Sequence, residues 1–298
     1  MTSRVNMYQL NCHHSKDVAA EMRIRMTENP GAIWFLQEPY TYKGKVMGID
    51  RWFYTAFHCA NKPRAAIVAP KRYNLLLESE FLDRDIVAVR LTDTGATLVS
   101  FYADIGERSL SQKLHNLLEE VTSQRRGSIY IHADSNAHST IWGCPENNTR
   151  GDLWEDLIFR YGLYVMNLGS TPTFVPGGDR RGETIIDITL TDQEGLLRSS
   201  DWRVSDTPMY SDHRLITYVY EVDKHLRTKA VWNFHKTDWS SFREILEEEL
   251  AGETAQKGHD FWTTETIEHE NRAITTACLL YTSPSPRDLS TSRMPSSA

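Results

Sequence analysis

The chain has 298 residues, 40% hydrophobic and 24% charged, with a formal net charge of -7. This length allows one large domain or two smaller ones with a full core. The composition is typical of a soluble globular protein, and no apolar run approaches the length of a membrane span. The acidic balance argues against a protein that coats nucleic acid by bulk charge.

A local basic rim around an acidic cleft stays compatible with this charge. The candidate rim residues occur in pairs, each of which could equally be a solvated turn: Lys62 and Arg64, Lys71 and Arg72, Arg125 and Arg126, Arg180 and Arg181.

Neither a secretory signal nor a disulfide framework is evident. Residues 1–9 lack the basic start and apolar core of a signal peptide, so we expect an intracellular protein. Cys12, Cys59, Cys144 and Cys278 are scattered and never form a CxxC pair. This spacing favours reduced thiols over a disulfide framework or a zinc knuckle.

The first predicted elements are a strand over 7–10 that ends at Asn11, a helix over 16–26 and a strand over 33–36. The second strand stops at Gln37-Glu38-Pro39, because proline cannot donate a further ladder bond. Glu38 therefore lies at a strand end, either as a surface charge or as an oxygen ligand for a hard cation.

Strands are predicted next over 65–69, 86–91 and 97–102, with a hairpin turn at Asp93-Thr94-Gly95. Tyr102 ends the third of these strands. A helix with a leucine stripe begins at Ser109 and leads into a strand from Ser128. That strand breaks at Ala133-Asp134-Ser135-Asn136, which is either a plain Asx turn or a group of reactive side chains held at a strand end.

After Trp142-Gly143, a helix over 149–161 and a proline-stiffened segment over 171–174 are predicted. The strand predicted over 185–190 contains one carboxylate, Asp187. A buried acid is costly unless it is hydrogen bonded or paired, so Asp187 needs a partner. We expect this partner to be His213, which precedes the closing strand over 215–222.

Beyond residue 222 the composition changes. Residues 232–250 suggest an extended entry and a Glu-rich helix, 257–276 are weakly helical, and no second core is evident. Residues 283–298 are rich in Ser, Pro and Arg and cannot bury enough surface to fold. They are either a disordered tail or non-native sequence joined to an interrupted reading frame.

The predicted strand ends share one property, a polar or ionisable side chain at or next to each of them. These residues are Asn11, Glu38, Tyr102, Asp134, Asn136, Asp187, Asp212 and His213.

With this set the chain resembles the endonuclease/exonuclease/phosphatase family, and within it the apurinic-type endonuclease domains of non-LTR retrotransposons. The resemblance covers residues 5–220. Its motifs are Leu10-Asn11, Gln37-Glu38-Pro39, Tyr102, His132-Ala133-Asp134-Ser135-Asn136-Ala137-His138 with Trp142-Gly143, Thr173-Phe174, Ile186-Asp187-Ile188-Thr189 and Ser211-Asp212-His213.

The resemblance implies an α/β (α+β) fold, a four-layer αββα sandwich of two mixed sheets packed face to face between helices. It also implies three regions: a nuclease domain over 1–222, a connector over 223–282 and the tail over 283–298. The connector resembles those that lead to a reverse transcriptase, but the chain has no Tyr-x-Asp-Asp motif. We therefore expect the nuclease part of a longer polyprotein.

The implied activity is that of a hydrolase, a metal-dependent DNA endonuclease. It would nick a phosphodiester bond to leave a 3′-hydroxyl and a 5′-phosphate, and the hydroxyl would prime target-primed reverse transcription. The implied partners are double-stranded DNA and a reverse transcriptase domain, and the implied state is a monomeric nuclease domain that acts on genomic DNA in the nucleus. No membrane partner is expected.

The same resemblance implies ligands and DNA contacts. Glu38, with Asn11 and Asp212, would hold Mg²⁺ or Mn²⁺ through oxygen atoms. Thr173 and Ser211 would contact the phosphate backbone of DNA.

The catalytic roles implied are those that phosphodiester hydrolysis needs. Asp134 would orient or activate water, and Asn136 and Tyr102 would donate to phosphate oxygens. His213, held by Asp187, would bind or protonate the phosphoryl group. The residues alone leave open which proton transfer Asp134 and His213 each perform.

Two other functions are compatible with the same motifs. One is a phosphomonoesterase of this fold that acts on inositol phosphates or a lipid headgroup, and the other is a non-catalytic DNA-binding module. His132 and the doublet His13-His14 add imidazoles that could suggest zinc, but they form no cluster with the cysteines, and packing near a strand end explains them better.

Overall fold

The computed structural model of the chain describes residues 3–124, 127–177 and 182–222, with the single positions 240, 243, 244 and 247. The helices and strands given below lie between residues 3 and 222, within the first of two units into which the chain divides, Met1–Lys229. Apart from those four positions, the segments predicted over 232–250, 257–276 and 283–298 lie outside the described residues, as do the rim candidates Arg125, Arg126, Arg180 and Arg181.

The first sheet has six strands and is mixed, because only its two central strands run parallel. In spatial order they are β13 (Ser199–Val204), β14 (Ile216–Val222), β1 (Ser3–Asn11), β2 (Ile33–Gln37), β6 (Ala65–Pro70) and β5 (Tyr54–Phe57).

The second sheet repeats this design with one central parallel pair. Its order is β11 (Tyr164–Val165), β12 (Asp187–Thr191), β10 (Ile129–Asp134), β9 (Ala96–Tyr102), β8 (Ile86–Leu91) and β7 (Leu75–Leu77). A small separate hairpin joins β3 (Thr41–Tyr42) to β4 (Lys45–Val46).

Each parallel pair is connected by a helix, because parallel neighbours need a crossover. Helix α1 (Lys16–Glu28) joins β1 to β2, and α2 (Gln112–Ser123) joins β9 to β10. Helix α3 (Thr149–Tyr161) follows β10, and the short α4 (Gln193–Leu197) follows β12.

The apolar side chains form three layers of core. Between the sheets, Val5 and Phe35 of one sheet share a buried cluster with Val89 and Leu98 of the other. The outer face of the first sheet buries Val18 and Met22 of α1, and the outer face of the second buries side chains of α2 and α3. This is the predicted αββα sandwich, and the predicted fold class is confirmed.

The long, strongly apolar strands and the helices lie close to their predicted positions. The strands that were not predicted are β3, β4, β5, β7, β11 and β13, because short or edge strands with half-exposed faces lack a clear apolar pattern. One boundary differs in a way that matters. Asp187 was placed inside a strand over 185–190, whereas it opens β12.

The topology brings the polar strand ends to one edge of the sandwich. The carboxyl ends of β1, β2, β9 and β10 carry Asn11, Glu38, Tyr102 and Asp134. Tyr102 and Asp187 both pair with Asp134 across neighbouring strands. The fold therefore places side chains that are far apart in sequence side by side.

A chain shortened to end at Asp223 should fold by itself, because the three apolar clusters of the described region all lie before that residue. We expect its thermal unfolding, followed by circular dichroism, to be cooperative and close to that of the full chain. A second shortened chain that ends at Val204 is the control, since it lacks β14, which pairs with both β1 and β13. Aggregation of the first chain beside a well-folded full chain would contradict a domain boundary near residue 222.

Candidate active site

A buried carboxylate and imidazole pair lies at the centre of the site. Asp187 and His213 are 1% and 6% exposed. The Asp187 Oδ2 and His213 Nδ1 atoms are 2.8 Å apart, so the predicted contact is present. Because Asp187 engages Nδ1, the other ring nitrogen, Nε2, is the one left for a substrate.

The pKa of His213 is shifted against the direction that burial alone would favour, whereas the pKa of the neighbouring Asp134 follows burial. Burial lowers the pKa of His213, but the charge and hydrogen bond of Asp187, helped by Asp134 and Asp212, raise it to about 9. Burial and the negative charge of Asp187 raise the pKa of Asp134 to about 7, against the effect of His213 and the donors Asn11 and Asn136. At neutral pH His213 is therefore a cation.

The site also has the donor set of a cation site. Asp134, Asp187 and His213 each place one ligand atom within 4.8 Å of the others. The second carboxylate oxygen of Asp187, Oδ1, is buried and has no hydrogen-bond partner among the described residues. A buried anionic oxygen without a donor is costly, so the two carboxylates fit a divalent cation or a water here, while the protonated His213 adds positive charge and no ligand atom.

Asn11 links this cluster to Glu38. Its Nδ2 donates to Asp134 Oδ2 at 2.8 Å and to Glu38 Oε2 at 3.4 Å. Its Oδ1, the atom expected to bind metal, instead accepts from the His13 backbone N–H at 2.8 Å. In this orientation the amide bridges two carboxylates and reduces their repulsion.

Asp212 and Ser211 lie on the turn that precedes β14. The Ser211 hydroxyl donates to the Asn11 carbonyl oxygen at 2.8 Å and accepts from the His213 N–H at 3.1 Å. Asp212 Oδ2 lies 3.4 Å from His13 Nδ1. The Asp212 carboxylate thus stands beside the Asn11 loop, and its role as a ligand stays a prediction.

Tyr102 is held between a carboxylate and a guanidinium. The Arg64 guanidinium lies 4.7 Å from its ring centroid, and the Glu38 carboxylate is near enough to raise the pKa of its hydroxyl. Burial and the charges of Glu38 and Asp134 raise the pKa of Tyr102, so its hydroxyl stays neutral and can donate. Arg64 itself is paired with Asp85 and Asp104, so it positions Tyr102 and is not a free rim charge.

Asn136 is fixed by contacts that the sequence does not reveal. Its Nδ2 donates to the Ala103 carbonyl oxygen at 3.0 Å, and its N–H donates to Asp134 Oδ1 at 3.2 Å. Arg150 donates to the carbonyl oxygens of both Asn136 and Ala103, and also to that of Glu107. The position of Arg150 is only a partial signal: a cation in the first turn of a helix opposes the helix dipole and needs an acceptor, but the sequence does not show which one.

Thr173 is fully buried. Its Oγ1 accepts from the backbone N–H groups of Ile186 and Asp187, at 3.1 and 3.0 Å. In this position it orients the start of β12. Its predicted contact with the DNA backbone stays a prediction, as does that of Ser211.

The three histidines set apart in the sequence have different surroundings. His132 is buried, stacks on Phe35 and accepts or donates only within the core, and burial lowers its pKa to about 3. His14 Nε2 lies 3.5 Å from Glu38 Oε1, and His13 lies beside Asp212. The doublet therefore belongs to the site, which its position two residues after Asn11 could have indicated.

The Trp142-Gly143 motif anchors the loop after β10. The indole N–H of Trp142 donates to the Ile185 carbonyl oxygen at 3.2 Å. Gly143 has a φ of +98°, and a Cβ there would lie 3.0 Å from the Gly169 carbonyl oxygen. Only glycine suits this position. The Trp142 hydrogen bond links the loop to the residues just before β12, and the close approach at Gly143 packs it against residue 169.

Comparison with known proteins gives one consistent result. The family model of endonuclease-reverse transcriptases matches residues 96–217. The endonuclease domain of TRAS1, a telomere-specific non-LTR retrotransposon, is 26% identical, with a TM-score of 0.62 over 74% of this chain and 100% of that one. No curated protein matches the chain.

Two more distant structures share the fold. The AP endonuclease LMAP from Leishmania major is 14% identical, with a TM-score of 0.58 over 73% of this chain and 87% of that one. The 3′-5′ exonuclease NExo from Neisseria meningitidis is 17% identical, with a TM-score of 0.52 over 73% and 99%.

These findings confirm the predicted resemblance to the endonuclease/exonuclease/phosphatase family and to a retrotransposon endonuclease domain. They also confirm the predicted enzyme class, a hydrolase acting on phosphodiester bonds. Across the part of the chain that the structure describes, no helix combines the length and apolar character needed to cross a bilayer.

Replacing Asp187 by Asn should lower the pKa of His213 from about 9, because Asp187 is the main group that counteracts burial. The measurement is a histidine NMR titration of both proteins. His115 on α2 is the internal control, since its pKa is set by burial and Arg160 and should not move. A His213 titration that ignores the substitution would show that the two residues act separately.

The same pair should give non-additive losses of activity, since groups that act as a unit lose their function together. We expect Asp187→Asn and His213→Ala each to remove most of the nicking rate at saturating Mg²⁺, and the double variant to be hardly worse than the worse single one. Gel assays of plasmid nicking measure these rates. Strictly multiplicative losses would contradict the coupling.

Proposed function

We propose, from its resemblance to the endonuclease/exonuclease/phosphatase family, that this chain is a divalent-metal-dependent DNA endonuclease. It nicks a phosphodiester bond and leaves a 3′-hydroxyl and a 5′-phosphate. The observation that carries the proposal is the buried cluster of Asp134, Asp187 and His213, joined through Asn11 to Glu38 at one edge of the sandwich.

Glu38, Asn11 and Asp212 are the proposed ligands of Mg²⁺ or Mn²⁺. When bound, the cation neutralises the negative charge that develops on the phosphoryl oxygens. Carboxylate and amide oxygens suit such a hard cation. Ligation by Asn11 requires its amide to turn, so that the oxygen replaces the amino group between Glu38 and Asp134.

The remaining groups supply proton transfer and charge. Asp134, with a pKa of about 7, is an acceptor for a proton from water near neutral pH. His213, a cation below about pH 9, is the donor that faces a phosphoryl or leaving oxygen through Nε2. The neutral hydroxyl of Tyr102 donates a hydrogen bond to the phosphate. The backbone N–H of Asn136 donates to Asp134 Oδ1 and so helps to position that carboxylate.

The biological setting follows from this activity and from the similarity to a retrotransposon endonuclease domain. The substrate is double-stranded genomic DNA, the location is the nucleus, and the 3′-hydroxyl primes reverse transcription by a polymerase domain of the full polyprotein. We propose that the nuclease domain, residues 1–222, works as a monomer, and that residues 223–282 form the connector to that polymerase.

Glu38→Gln should abolish nicking of supercoiled plasmid at ordinary Mg²⁺ concentrations, because an amide replaces a ligand charge. The melting temperature should hardly change, since Glu38 lies at a strand end outside the apolar clusters. Glu146→Gln is the matched control, as Glu146 is exposed. Extension of the nicked product by a DNA polymerase tests directly for the 3′-hydroxyl.

Each other outcome has a defined meaning. Full activity of Glu38→Gln would remove Glu38 from the metal site. Hydrolysis of an inositol phosphate without nicking of plasmid would establish a phosphomonoesterase. Binding of duplex DNA with no metal-dependent cleavage would establish a non-catalytic module.

A further inference from the structure

Left-handed backbone conformations of residues other than glycine are concentrated at the site. The described ranges contain eight such residues: His13, His14, Glu38, Lys43, Lys62, Asn136, Asp201 and Tyr210. Five of them, His13, His14, Glu38, Asn136 and Tyr210, lie on the loops that form the site. This conformation is unfavourable for residues with a Cβ, and it persists where the surroundings impose it.

Four of these five residues have side chains in contact with other site groups. Glu38 accepts from Asn11 and lies beside His14. His13 lies beside Asp212, and Asn136 contacts the loop after Tyr102. In each case the backbone strain accompanies a side chain that is placed at the site.

Tyr210 is the fifth, with a φ of +56°. Its side chain is 68% exposed. Within residues 3–124, 127–177 and 182–222, its ring makes no aromatic contact and its hydroxyl makes no hydrogen bond. Glycine or asparagine would adopt this conformation at lower cost, so the stability of the fold does not account for a tyrosine here.

The turn after Tyr210 is fixed from two sides. The Ser211 hydroxyl is bound to the Asn11 carbonyl oxygen, and the Asp212 carbonyl oxygen accepts from the Val175 N–H at 2.7 Å. Tyr210 is two residues from Asp212, so their Cα atoms are at most about 7 Å apart. The exposed ring is therefore carried on the same turn as Asp212 and His213, two of the groups proposed to act on the phosphodiester.

We propose that Tyr210 is a stacking residue that binds the face of a nucleobase next to the scissile phosphate. Aromatic side chains bind bases in this way whatever the sequence, because every base has a π-face. Tyr210 would hold the nucleotide in position, and it takes no part in proton transfer. This inference rests on the proposed nuclease function.

The test compares Tyr210→Asn and Tyr210→Phe with the unchanged full chain. Asparagine accepts the left-handed backbone but removes the ring, whereas phenylalanine keeps the ring. Phe159→Ala is the matched control, because Phe159 is 72% exposed on α3 and belongs to no part of the site. The measurements are kcat and KM for plasmid nicking, fluorescence anisotropy of a labelled DNA duplex without metal, and thermal unfolding.

We expect Tyr210→Asn to raise KM and the Kd for duplex by about tenfold, the effect of losing one stacked base, with kcat changed less. Its melting temperature should equal or exceed that of the unchanged chain. Tyr210→Phe and Phe159→Ala should behave as the unchanged chain does. If Tyr210 had only a structural role, Tyr210→Asn would lower the melting temperature and leave KM unchanged.

The proposal is overturned if Tyr210→Asn has an unchanged KM and an unchanged Kd, or if Tyr210→Phe loses as much as Tyr210→Asn. If the unchanged chain nicks no plasmid, the proposed function fails, and duplex affinity then decides this inference. Weaker binding of Tyr210→Asn supports it, whereas equal binding, or no binding of duplex by any of the proteins, overturns it.

Discussion

The structure depends on the burial of two carboxylates side by side at the end of adjacent strands. Asp134 and Asp187 are paired in register, and both are nearly inaccessible to solvent. Two like charges in such a place repel each other, and burial adds a desolvation cost. His213 and Asn11 offset part of this cost by hydrogen bonding to the two carboxylates. The offset is incomplete, because Oδ1 of Asp187 has no hydrogen-bond partner among the described residues. The remaining features of the site can be understood as means of holding these groups in place.

The two sheets must also be aligned, because each contributes half of the site. Buried amides cross the gap between them close to the site. Gln9 donates to the Ala133 carbonyl oxygen, and Gln37 donates to the Ser100 hydroxyl and the His132 carbonyl oxygen. Contacts between apolar side chains persist when one sheet slides on the other, whereas a buried hydrogen bond between the sheets is lost. These contacts therefore set the position of Asn11 relative to Asp134.

The sequence was informative where a signal is local. Four apolar residues followed by Gln37-Glu38-Pro39 predict a strand end, and a single acid among isoleucines predicts a partner for Asp187. The orientation of the Asn11 amide was not predictable, since it depends on the side chains of Glu38 and Asp134, which are 27 and 123 residues away. The contacts of Arg150 were not predictable either, since they are made with carbonyl oxygens of other loops. The start of β12 at Asp187 is also such a case, because the N–H groups of Ile186 and Asp187 are bound by the hydroxyl of Thr173, which is 13 and 14 residues away.

The different pKa values of Asp134 and His213 allow one group to act as a base while the other acts as an acid. Asp134 has a pKa of about 7 and His213 one of about 9, so between these values the carboxylate is ionised while the imidazole is protonated. A general base and a general acid can therefore coexist in one buried cluster at slightly alkaline pH. A divalent cation beside this cluster would lower the pKa of both Asp134 and His213, so it would move the whole range toward lower pH.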